Sequence, residues 1–140
     1  MTDAELVAKK LAEVETYVRE LRELAEPAAL EREIKEQRFV LHTLQLAIQA
    51  ALDAASHVVS DERLGEPERN RDLFTLLAGA GWIPRDLGAR LEEMAGFRNL
   101  VVHEYAIVDL AIVRDVVENR LQDLLDLCRA VRQRLPPPPR

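Results

Sequence analysis

One cysteine, five glycines, one tryptophan, two tyrosines and three phenylalanines are spread over 140 residues. A single thiol, Cys128, forms no intramolecular disulfide and supplies no thiolate cluster for zinc or iron. With so few glycines and β-branched or aromatic runs, and with Leu, Ala, Glu and Arg abundant, the chain favours helix over strand throughout. No stretch approaches the roughly 20 uninterrupted apolar residues that cross a bilayer, and the opening MTDAELVAKK lacks a signal peptide's apolar core. The expectation is a cytoplasmic protein with no membrane contact. Basic excess is also missing. A formal charge of -6 argues against a broad nucleic-acid grip, because phosphate neutralisation supplies most non-specific affinity. Any RNA contact is expected to be local.

What is present is a set of apolar stripes. The 48% hydrophobic content suffices for one core, so a single domain is expected over residues 1–135, with PPPPR (136–140) as a solvated, disordered tail. Leu6, Leu11, Val14, Val18, Leu21 and Leu24 predict a first helix over residues 3–25, and Pro27 breaks it. A second helix is expected from about 28 to 60, with Ile34, Leu41, Ile48, Leu52, Ala55 and Val59 on one stripe. Residues 60–72, charged and holding Gly65 and Pro67, read as a connection. The segment DLFTLLAGA reads as a short helix, and Pro84 opens a fourth over 84–98. Asp109 caps a last helix on which Leu110, Val113, Val117, Leu121, Leu124, Cys128, Val131 and Leu135 recur at three or four residues. The fold class is all-α, an up-and-down bundle of about five helices.

Chemistry concentrates in RNLVVHEY. His103 moves protons near neutral pH, Arg98 is a permanent cation five positions earlier, and Tyr105 adds a phenol two positions later. RNA cleavage through the substrate's own 2′-hydroxyl needs a proton carrier and a cation to offset charge building on phosphorus. On an unbroken helix His103 points roughly 140° away from Arg98. A shared site therefore requires a distortion or a reaching arginine, and Asn99 is a candidate for ending or tilting the helix just after Arg98. On the second helix His42, Gln49, Asp53 and Ser56 form a polar stripe, from which Asp53 could orient Arg98 or His103. His42 and His57 lack metal-ligand neighbours, and Cys128 reads as a small core residue. No cofactor and no metal are expected.

The segment MAGFRNLVVHEYAIVD matches the R-x4-H-x-Y motif of the HepT-like subgroup of HEPN proteins, with Arg98, His103 and Tyr105 at its three positions. LQLAIQAALDAASHVVSD and LAGAGWIPRDLGARLEEM also resemble that family's flanking segments, so the likeness covers roughly residues 34–130. It implies a metal-independent endoribonuclease, the toxin of a toxin–antitoxin pair, acting as a homodimer whose motifs face a shared cleft. The implied partner is a minimal nucleotidyltransferase antitoxin, in a possible higher hetero-oligomer. In that family the antitoxin silences the toxin by transferring AMP to the motif tyrosine, here Tyr105. Two other readings remain. One is a non-catalytic HEPN subunit that binds or regulates a nucleotidyltransferase; the other is a structural dimer whose polar motif only fixes register.

Overall fold

A computed structural model describes residues 3–103 and 108–136, with residues 100–103 described by their backbone alone. Helix α1 (Ala4–Leu24) starts at Asp3, whose carboxylate accepts the Leu6 N–H at 3.1 Å and so satisfies one of the free first-turn donors. A 3₁₀ turn (Pro27–Ala29) carries the chain into α2 (Ile34–Asp61). The short α3 (Asp72–Gly79) and α4 (Arg85–His103) follow. The last rod is α5 (Leu110–Asp115), a π turn (Val116–Arg120) and α6 (Leu121–Arg134) in unbroken succession. No strand occurs among the described residues.

Helix α2 is the spine. Its buried Leu41, Leu44, Ile48, Leu52, Ala55 and Val59 meet Val7, Leu11, Val14, Val18 and Leu21 of α1 in one core, each large side chain contributing about 1.5–3 kcal/mol by leaving water. The two helices run antiparallel. Asp3 N–H donates to Asp61 Oδ2 at 3.0 Å at one end, and Glu26 N–H donates to Glu36 Oε2 at 2.7 Å at the other.

Helices α3 and α4 are also antiparallel and approach closely at Gly88, where an added Cβ would stand 2.9 Å from the Ala78 Cβ. Farther along the pair, Thr75 hydrogen-bonds Glu92. Helix α4 in turn runs antiparallel to the last rod, through Arg90–Asp123 (3.0 Å) and the Arg134 guanidinium over Trp82. The C-terminal half of α4 meets the end of the 62–71 connection at Gly96, where an added Cβ would stand 3.8 Å from Arg71 Nη1.

The structure corrects three details. The second helix starts at Ile34 rather than near 28, because the 3₁₀ turn and the turns after it occupy residues 27–32. Leu24 and Ile34, both placed on apolar stripes, are 63% and 62% exposed. They sit at the last position of α1 and the first of α2, and Ala29 and Leu30 of the corner between them are buried instead. The fourth helix does not stop at residue 98 but continues to His103.

Candidate active site on helix α4

Helix α4 carries Arg98 and His103 of the motif, and its continuity decides the geometry. Asn99 neither ends nor tilts it: the backbone stays α-helical through Asn99 to His103. The Asn99 side chain has another partner, since its Oδ1 accepts from Arg98 Nη1 at 3.4 Å. An amide spent in this way no longer competes for backbone groups, which is how asparagine breaks helices. Asn99 therefore stands as a support for Arg98 rather than as a cap.

Arg98 is half-buried, and its Nε is shielded from water with no hydrogen-bond partner among the described residues. A buried donor left unmade is costly and usually answers to something absent. Register sets His103 apart from it. On an unbroken α-helix the two positions diverge by about 140°, whereas Glu92, Gly96, Asn99 and His103 share one face, within an arc of about 60°. A further cation meets that face from outside α4. The Nη1 of Arg71, at the start of α3, lies 3.8 Å from where a Gly96 Cβ would be.

Asp53 is engaged elsewhere. Gln49 Nε2 donates to its Oδ1 at 2.9 Å and Lys10 Nζ stands 3.7 Å from its Oδ2, so Arg98 is not among its partners. Of the rest of the polar stripe, His42 is exposed, and Ser56 lines a recess of about 450 Å³ with Ser60, Arg63 and Glu66. Tyr105 lies outside the described residues, as do Glu104 and tail residues 137–140. Cys128 is buried on α6, where loss of water pushes its thiol up to about 12, so it stays protonated and inert at neutral pH. Among the described residues no group of three His, Cys, Asp or Glu side chains is arranged to hold a metal ion. No helix there is long and apolar enough to cross a membrane.

Sequence reasoning missed Arg71. Its only sequence signal is Gly96, a glycine inside an otherwise strong helix, where the guanidinium lies against α4.

The family model of HepT-like ribonucleases matches residues 14–131, a span that contains the spine, the connection, all of α4 and most of the last rod. The chain belongs to the HepT-like ribonuclease family. Within that family it is similar to the mRNA nuclease HepT of Shewanella oneidensis, 31% identical over 120 residues, which covers 85% of this chain and 90% of the relative. It also resembles the tRNA nuclease HepT of Aphanizomenon flos-aquae, 31% identical over 75 residues, covering 54% of this chain and 51% of that one. Among solved structures, the tri-AMPylated HEPN toxin of Shewanella oneidensis in complex with its MNT antitoxin superposes with a TM-score of 0.85 at 29% identity, covering 95% of this chain and 99% of that one. The all-α bundle of this HepT-like chain is thus the HEPN toxin fold.

Proposed function

We propose that this HepT-like chain is a metal-independent endoribonuclease, the toxin of a pair whose antitoxin is a minimal nucleotidyltransferase. The observation that carries the reading is the buried Nε of Arg98, a charged donor inside the family motif with no hydrogen-bond partner among the described residues. In the reaction, the substrate's 2′-oxygen attacks phosphorus and the bond to the 5′-oxygen breaks, leaving a 2′,3′-cyclic phosphate and a 5′-hydroxyl. His103 takes the proton from the 2′-hydroxyl or gives one to the leaving oxygen, and Arg98 offsets the negative charge that grows on the phosphoryl oxygens. Asn99 steadies the Arg98 guanidinium.

A homodimer resolves the divergence of the two positions on one helix, because a two-fold axis beside the ends of two α4 helices lets groups from both copies face one cleft. Tyr105 is the acceptor of AMP from the antitoxin; the phosphate it gains repels RNA and occupies the cleft. The names of the relatives, a nuclease of mRNA, a nuclease of tRNA and an AMPylated toxin held by an antitoxin, support this reading.

The test is incubation of purified protein with total RNA in excess EDTA, beside His103→Ala and Arg98→Ala. Expected are cleavage by the wild type, cyclic-phosphate ends by mass spectrometry, and losses of roughly 10²–10⁴-fold for His103→Ala and 10²–10³-fold for Arg98→Ala with the fold intact. Intact RNA with an unmodified wild-type protein would instead favour the non-catalytic, regulatory subunit.

A further inference from the structure

Three observations converge on the connection between α2 and α3. Asp72 latches it: its Oδ2 accepts the backbone N–H groups of Glu68 (3.2 Å) and Arg69 (3.0 Å), and its Oδ1 stands 3.5 Å from the Arg69 guanidinium. Arg69 is thereby neutralised, while the next cation, Arg71, is exposed and makes no ion pair with any described residue. Second, Arg71 lies along α4 at Gly96. Glycine inside a helix costs roughly 1 kcal/mol relative to alanine, and here the position beneath the guanidinium is bare. Third, Gly96 and His103 share a face of an unbroken helix, within about 20° and separated by about 10 Å along its axis.

We infer that Arg71 is a phosphate-binding residue for the RNA substrate, holding the backbone one or two nucleotides from the phosphate at His103. The inference rests on the ribonuclease reading and adds a second cation to the His103 face, which the Arg98 guanidinium reaches at Asn99 (3.4 Å). In a chain of net charge -6 a single well-placed cation carries an unusual share of the attraction for a polyanion. The spacing of about 10 Å from position 103 keeps Arg71 off the reacting phosphorus, so it acts through binding and leaves the chemical step alone.

The experiment measures binding of a labelled single-stranded RNA in EDTA to His103→Ala protein, with and without Arg71→Ala, across a range of salt. Steady-state cleavage by Arg71→Ala in the otherwise native chain is measured alongside. Arg85→Ala, an exposed charge removed from the opposite end of α4, is the control. Expected are binding weakened by about 5- to 50-fold and a log–log salt slope shallower by about 0.7, the value for one lost phosphate contact on a single strand. In turnover KM rises and kcat holds, Arg71→Lys recovers part of the loss, and Arg85→Ala changes little. Equal effects of Arg71→Ala and Arg85→Ala, or an unchanged slope, overturn the assignment while cleavage by the wild type leaves the ribonuclease reading standing. An Arg71-dependent slope in a protein that cuts nothing would sink the ribonuclease reading and keep the RNA contact.

Discussion

A guanidinium nitrogen held out of water without a hydrogen bond is a liability of about 1–3 kcal/mol, and among the described residues Arg98 Nε has no partner. Functional groups are often kept at such a cost, with stability and activity pulling in opposite directions. Arg98→Met retains the length and apolar stem of the side chain and removes the stranded donor. It is expected to leave thermal stability unchanged or raised by about 3 °C, as calorimetry would show, while RNA cleavage falls by 10²–10³-fold. A large drop in Tm would instead make Arg98 a structural residue, satisfied by a partner within the fold. Cys128 is the contrasting case: it too is buried, but it sits on the apolar spacing of α6 and its thiol, pushed up to about 12 by burial, has no charge to satisfy.

At the scale of elements, the α2–α3 connection depends on one carboxylate. Asp72 is held below the ordinary carboxylate value of 3.8, chiefly by the Arg69 backbone N–H and further by the Arg69 charge and the Glu68 N–H. A carboxyl whose folded pKa is lowered stabilises fully above its unfolded value and loses that contribution as pH falls through the folded one. The latch therefore holds at neutral pH and opens only below about pH 4. Amide exchange at Glu68 and Arg69 is expected to quicken selectively there, and Asp72→Asn should show the quickened exchange already at pH 7. No such change in Asp72→Asn would mean that the connection is fixed by other contacts.

The elements were legible in the sequence to different depths, for physical reasons that differ. The stripes of α1 and α2 were readable because both bury a regular face, and they misled at the helix ends: Val7 rather than Leu6 joins the core, and Leu24 and Ile34 are exposed. The end of α4 was misread because Asn99 has a breaker's side chain, and only the structure shows that chain occupied by Arg98. The π turn at Val116–Arg120 was hidden, since Val113, Val117, Leu121 and Leu124 are spaced as on an ordinary α-helix; the turn brings Val116 inward beside Val117. The motif gave Arg98 and His103 at once. Arg71 is 25 or more positions away from both and meets α4 only through tertiary packing.

For the whole molecule, the antiparallel pairing of α4 with the last rod separates two ends. Arg98 and His103 lie at the far end of α4, and Trp82 precedes its first turn, packed under the Arg134 guanidinium at 4.5 Å. The 19 residues of α4 put about 28 Å of helix between them. Trp82 is the only tryptophan in the chain, and it is buried. The protein thus carries an intrinsic optical probe of the packing of its C-terminal rod, at the end of α4 remote from Arg98 and His103. Arg134→Ala should change the emission of the folded protein, and RNA added to the His103→Ala variant should not. A spectral shift on RNA addition would show that filling the motif end is felt along the full length of the bundle, and would turn a passive stability readout into a reporter of occupancy.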